Sequence, residues 1–402
     1  MCFLKSENLE EEIYKEEIRD ILSFFEEKEL VNLRLFNKKD NYEHPLKSII
    51  FYDKSRSSSN LVNDRYLMIY KTNRAFEIVR RIDANWLNAK KSELISDDYH
   101  VASSVLGEIR AYAEIYTNIF RENLKDKSTL VSIPTSNAPT PDFRLTDIDY
   151  NEMEYTIDFE IFTKTPDKES QIGVDLGTTV TKTKDTHHQI TTRISSNRPF
   201  STEKRPSEKN NHGSDLRHII HLFTQIKPKD KQFIDEHINI LWIDMQDETI
   251  SHYGSFLSFA FPTAIREASF LSSTLWHAFY GKKGMIILHE MFQGEHNTYR
   301  TAELEHDGRF YLFDYKTDFV VFSFPSKTIV FERPDSGKEI PERFRESLTY
   351  LLHFNSVESR IDFPKGSLKR AIRNDVDNLN NLYKYLKERD GWEEQSTAKD
   401  TN

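Results

Sequence analysis

Two carboxylates stand where a β-hairpin could bring them to one ion. In Pro139-Thr140-Pro141-Asp142-Phe143 a proline-stiffened turn delivers Asp142 to the start of a strand, and Glu160 follows 18 residues later inside the next strand. In that second strand Ile157, Phe159 and Ile161 alternate with Asp158 and Glu160, so one face is apolar and the other acidic, with Lys164 on the Glu160 side. A hard divalent cation, Mg2+ or Mn2+, prefers carboxylate oxygens and keeps positions open for water and phosphate. A lysine beside it would orient or deprotonate the attacking water and offset charge on the phosphate. The chemistry these residue types point to is metal-assisted phosphodiester hydrolysis. The same residues also fit an ordinary turn and an edge strand whose acids face water.

Further residues extend the pattern. Upstream, Gly107-Glu108-Ile109-Arg110-Ala111-Tyr112 lies in a helical stretch; downstream, Lys229-Asp230-Lys231-Gln232 ends a second one and Asn239-Ile240-Leu241-Trp242-Ile243-Asp244 follows as a strand. With Pro141-Asp142 and Glu160 between them, residues 100 to 290 resemble the PD-(D/E)xK, or restriction-endonuclease-like, nuclease superfamily. The resemblance implies a magnesium- or manganese-dependent nuclease in which Asp142 and Glu160 hold the metal and Glu108 supports it directly or through water. It also implies a nucleic-acid partner, DNA before RNA, and a role such as prokaryotic defence against foreign nucleic acid. The superfamily carries a lysine two residues after the strand acid, and here that position is Phe162. Lys229 or Lys164 would have to take its place; failing that, the chain keeps the fold as a non-catalytic binding or scaffold subunit, alone or with another protein.

The elements that must position these residues read as α/β: a mixed central sheet flanked by helices, with helical extensions at both ends. Periodicity predicts an amphipathic helix over residues 8–30, another over 74–90, and a third over 97–123 that opens with two aspartates and carries Val105, Ile109, Tyr112 and Phe120 along one stripe. Strands are predicted at 129–133, 142–145, 155–163, 238–245, 285–292, 309–315, 319–324 and 328–332. The run at 238–245 is apolar at six of its eight positions and on both faces, as in a strand buried on both sides. Helices are predicted at 215–233, 343–352 and 368–389, and the Ser-, Asn-, Pro- and Lys-rich stretch 191–214 as a disordered loop. This divides the chain into a mainly helical region 1–96, a nuclease-like core 97–333 and a C-terminal helical extension 334–402.

Bulk properties exclude several function classes. The single cysteine, Cys2, rules out an internal disulfide or a multi-thiolate metal site. No apolar run reaches the roughly 18 residues of a membrane helix, and the first residues lack a charged-then-apolar signal, so no membrane contact and a cytoplasmic location are expected. The net charge of −10 repels a phosphate backbone at long range, so nucleic-acid contact would need a local basic patch. Ile172 to Thr179 looks like the first phosphate hairpin of sugar-kinase-type ATPases, but the downstream glycine loops of that fold are missing, and a simple turn is the better reading. His218 and His221 lack further zinc ligands, and Gly281 to Gly284 with Lys282 and Lys283 reads as a helix cap.

Overall fold

The computed structural model describes residues 15–36, 44–51, 59–120, 129–134, 139–150, 153–163, 174–182, 188–196, 230–246, 263–266, 269–272, 274–284, 286–293, 296–304, 306–312, 315–325, 328–334, 336–341, 344 and 348. Of residues 59–65 and the strands at 174–196, 263–272 and 286–303 only the backbone is described.

Side-chain caps cut the N-terminal half into short helices. Helix α1 (Arg19–Leu22) stops before Glu26, where a capping box between Glu26 and Glu29 starts α2 (Glu27–Leu35), so among the described residues the single helix expected over 8–30 is interrupted. Helix α3 spans Pro45–Ile50, with Pro45 in the first turn where no amide hydrogen is needed. The expected helix at 74–90 is the end of α4 (Ser59–Ile82) plus α5 (Ala84–Ala89). Asp83 makes the break by accepting from the Trp86 N–H at 3.1 Å. After α6 (Lys91–Leu94), Asp98 caps α7 (Tyr99–Glu114) by accepting from His100 N and Val101 N. A π-helical stretch, Ile115–Phe120, continues it.

Six strands form one open mixed sheet. Strands β1 (Thr129–Ser132), β2 (Phe143–Tyr150) and β3 (Met153–Thr163) make an antiparallel meander. Two further two-stranded sheets pair β4 (Val174–Lys182) with β5 (His188–Ser196) and, later in the chain, β7 (Thr263–Arg266) with β8 (Ser269–Ser272). Between them, β6 (Ile238–Asp244) adds to the main sheet parallel to β3. Helix α8 (Thr274–Tyr280) precedes the hairpin of β9 (Ile286–Gln293) and β10 (His296–Glu303). Strand β11 (Phe319–Ser323) lies parallel to β6, and β12 (Thr328–Glu332) closes the sheet antiparallel, giving the order β1-β2-β3-β6-β11-β12.

Alternation assigns the two faces. Ile157, Phe159, Ile161, Ile240, Trp242 and Val321 pack in one cluster with Ile109 and Tyr112 of α7, which is in turn covered by α4. On the other face, Phe322 and Phe331 meet Phe279 of α8 at ring separations of 5.5 and 5.7 Å. Strands β6 and β11 are therefore buried on both sides, which is why every residue of each is buried. The α7-side cluster runs from Ile18 to Leu348, so the helices before residue 97 share one core with the sheet.

Three expectations are corrected. Residues 191–196 belong to β5 rather than to a loop. Arg309–Tyr311 is a 3-10 turn, not a strand, because the Gly308 N–H donates to Gly281 O at 2.7 Å and turns the chain so that Phe310 packs on Phe279. Of the helix expected at 215–233 the described end, Asp230–Gln232, is a 3-10 turn; residues 197–229 and 349–402 lie outside the described residues. Among the described residues no helix is long and apolar enough to cross a membrane.

Candidate active site

Asp142 sits at the mouth of the β2–β3 pair. Its N–H donates to Phe159 O at 3.0 Å and its Oδ2 accepts from the Ile161 N–H at 2.7 Å. Phe143, the next residue, pairs with Phe159 across the two strands, and the one shift of register between them comes later, between Leu145 and Ile148. From this position its charge acts on Glu108 and Lys90.

Glu108 reaches the same place because α7 lies unusually close to β3. A side chain at Gly107 would put its Cβ 1.9 Å from Thr163 Oγ1. Only glycine permits that approach, and Thr163 Oγ1 uses it to donate to Ser104 O at 3.3 Å. Lys90, at the junction of α5 and α6, completes the group: its Nζ lies 2.7 Å from Glu108 Oε2 and 3.8 Å from Glu93 Oε2.

The three charged residues are held together by three aromatic ones. Trp86 is four residues before Lys90, Tyr112 four after Glu108, and Phe143 next to Asp142. Their rings meet at 5.3 Å (Trp86 with Tyr112), 5.6 Å (Trp86 with Phe143) and 4.5 Å (Tyr112 with Phe143). Aromatic contacts of this kind fix side-chain direction as well as burying area. Lys90 Nζ lies 5.7 Å from the Trp86 ring centroid, within cation–π range.

The electrostatics follow from that enclosure. Burial, and then the neighbouring Asp142 carboxylate, push the Glu108 carboxyl from its ordinary 4.5 up to about 7, against the pull of Lys90. Burial draws the Lys90 ammonium down, but Glu108, Glu93 and Asp142 more than reverse it, and its pKa ends raised. The cluster thus pairs a carboxyl that changes protonation near neutral pH with a fixed positive charge. Glu108 can take a proton from water, Lys90 can offset negative charge on a reacting phosphate, and Asp142 sets the field on both.

Glu160 lies elsewhere. Its neighbours Phe159 and Ile161 point into the α7 cluster, so strand alternation sends Glu160, 1% exposed, to the opposite face with Asp158. There Asp158 accepts from Arg144 Nε at 2.6 Å and from Arg144 Nη2 at 3.1 Å, and its Oδ2 is 2.9 Å from His237 Nδ1. Asp142 and Glu160 are neighbours in backbone position, the Asp142 carboxylate accepting from the Ile161 N–H next to Glu160. Lys164 and Lys229 lie outside the described residues. Lys90 was not singled out by the sequence; its one local signal is the Trp86-x-x-x-Lys90 spacing, and the contact that matters spans 18 residues to Glu108.

A magnesium or manganese centre, which the resemblance implies, needs several oxygen ligands converging on one point. Among the described residues no three His, Cys, Asp or Glu side chains are grouped to hold a metal ion. An ammonium already sits on the Glu108 carboxylate, and one Asp142 oxygen is engaged by a backbone amide. The described residues do not fit such a centre. Comparison with family models, curated proteins and solved structures finds no match for this chain.

Proposed function

We propose that this protein is a nuclease-like phosphodiester hydrolase whose working groups are Glu108, Asp142 and Lys90. The observation that carries the reading is the convergence of a near-neutral carboxyl, a second carboxylate and an ammonium from three separate elements on one spot. The order of elements supports it: a helix bearing Glu108, the meander β1-β2-β3 with Asp142 at the mouth of β2, then β6 parallel to β3. This is the order that the restriction-endonuclease-like resemblance implies. A nucleic-acid substrate, with DNA ahead of RNA, and a defence role come from that resemblance.

A second reading has its own observation. Phe162 stands where the superfamily carries lysine, and Glu160 lies with Asp158 on the face of β3 opposite the α7 cluster. Both favour a protein that keeps the architecture as a binding or scaffold subunit.

Single- and double-stranded DNA and RNA, incubated with the protein in EDTA or in manganese, separate the two. Cleavage lost in Asp142→Asn and Glu108→Gln but kept in Glu160→Gln is the expected result. Loss in Glu160→Gln alone would move the site to the other face of the sheet. Nucleic acid bound but uncut by the native protein would establish the scaffold instead.

A further inference from the structure

We infer that Arg144, Asp158 and His237 form a phosphate-binding site on the face of the sheet opposite α7. The site stands apart from the Glu108 cluster, and its test needs no cleavage. Strand register brings the three residues together. Arg144 of β2 pairs directly with Asp158 of β3, which pairs in turn with Asn239 of β6, so the three side chains share one face. His237 stands two residues before Asn239, at the entrance to β6. Asp158 has no exposure, and its Oδ2 receives both Arg144 Nη2 at 3.1 Å and His237 Nδ1 at 2.9 Å. A carboxylate only accepts, so Nδ1 carries the imidazole hydrogen and the outer nitrogen, Nε2, is left open. Among the described residues nothing bonds to His237 Nε2 or to Arg144 Nη1, and the two side chains keep 21% and 25% of their surface exposed. The backbone under the imidazole is tied down as well: the His237 N–H donates to Ile234 O at 3.2 Å, and Lys338 Nζ donates to His237 O at 2.5 Å and to Asp318 Oδ2 at 2.6 Å.

Charge decides what such a site takes up. The buried Asp158 carboxylate lies between a guanidinium and an imidazole, and it stabilises the imidazolium once a proton arrives. Two cations against one carboxylate then leave a net positive group, with Nε2–H and the Arg144 Nη1 hydrogens as outward donors. Of the charges around it, Lys338 is matched by Asp318, and Lys316 by Asp235 at 2.9 Å. Glu160, on the same face of β3, is buried, while Glu236 and Glu339 on the adjoining segments are exposed. A tetrahedral oxyanion with several acceptor oxygens is the ligand that meets a guanidinium and an imidazolium together. In a chain of net charge −10 this group is a local reversal of sign, which contact with a phosphate requires.

The test is an NMR titration of the His237 imidazole in the full chain, its resonance assigned by its absence in His237→Gln. The protein is titrated alone, with inorganic phosphate, and with a thymidine dinucleotide that carries one phosphodiester. Bound phosphate should raise the His237 midpoint by about one unit, the effect of an opposite charge roughly 5 Å away, while the midpoint of the exposed His306 stays in place. Arg144→Gln should abolish most of the rise. Arg144→Lys, which keeps the charge and loses the planar fork, replaces it if the glutamine variant loses its native circular dichroism, and should reduce the rise. A rise with both ligands assigns the site to a nucleic-acid backbone, and a rise with inorganic phosphate alone assigns it to free phosphate or a monoester; either result supports the inference. No rise in the native protein, or an equal rise at His306, would overturn it and leave the Glu108 cluster untouched.

Discussion

Replacing Arg110 with methionine is expected to lower the free energy of unfolding by about 3–5 kcal/mol, the cost of leaving a buried charge without its partner. Arg110 Nη2 lies 2.5 Å from Asp244 Oδ2 and its Nε 3.2 Å from Asp244 Oδ1, a two-pronged contact between residues with almost no exposure. The pair ties α7 to the end of β6, one turn from the Gly107 contact that places Glu108. Asp244 cannot turn to water, because its β6 position pairs with Thr163 of β3 on one side and Ser323 of β11 on the other. An apolar replacement of both partners removes the stranded charge, so Arg110→Met/Asp244→Leu should recover most of the loss. Urea unfolding of the two variants decides it; a double variant no more stable than the single one would mean that packing, and not the charge, sets the cost.

The second large effect is on turnover. Glu108→Gln removes the carboxyl that burial and Asp142 push up to about 7, and a lost general base costs about 10²- to 10⁴-fold in rate. The sign of the pH dependence is fixed by the same assignment. A base works deprotonated, so the native rate should rise with pH and level off above about 7, where Glu108 has ionised. Lys90 holds the Glu108 carboxyl down against burial and Asp142, so Lys90→Met should slow the reaction and also move the rising limb to higher pH. A purely structural role for Lys90 would lower the rate at all pH values without moving the limb. The pH–rate profiles of the three proteins on one nucleic-acid substrate distinguish these outcomes.

Much of the scaffold is written in local sequence. The apolar run from Ile240 to Ile243 marks a strand buried on both faces, and β6 lies between β3 and β11 as that pattern requires. Asp97-Asp98 and the apolar stripe announce α7, and Asp98 is its cap. The alternation in β3 separates Phe159 and Ile161 from Asp158 and Glu160 as the side chains are separated in the structure.

What local pattern could not show is which face the site occupies. Alternation places Glu160 on the acidic face of β3, yet the charge of Asp142 acts on Glu108, which arrives from α7 on the apolar side. That approach is a matter of how α7 packs on β3, a long-range contact which residue types around Asp142 do not encode. Lys90 was silent for a related reason: an exposed-looking Lys90-Lys91 pair becomes half-buried only once Trp86, Tyr112 and Phe143 meet. The turn at Arg309–Tyr311 was misread because Phe310 and Leu312 alternate as in a strand, while the Gly308–Gly281 contact that bends the chain is long-range.

The central claim is that three charges on the α7 side behave as one unit, and the protonation of Glu108 reads it directly. Carbon-13 titration of the Glu108 carboxyl should give a midpoint near 7 in the native protein. The midpoint should fall in Asp142→Asn, where the repelling carboxylate is gone, and rise in Lys90→Met. A native midpoint at the ordinary 4.5, unmoved by either substitution, would contradict it.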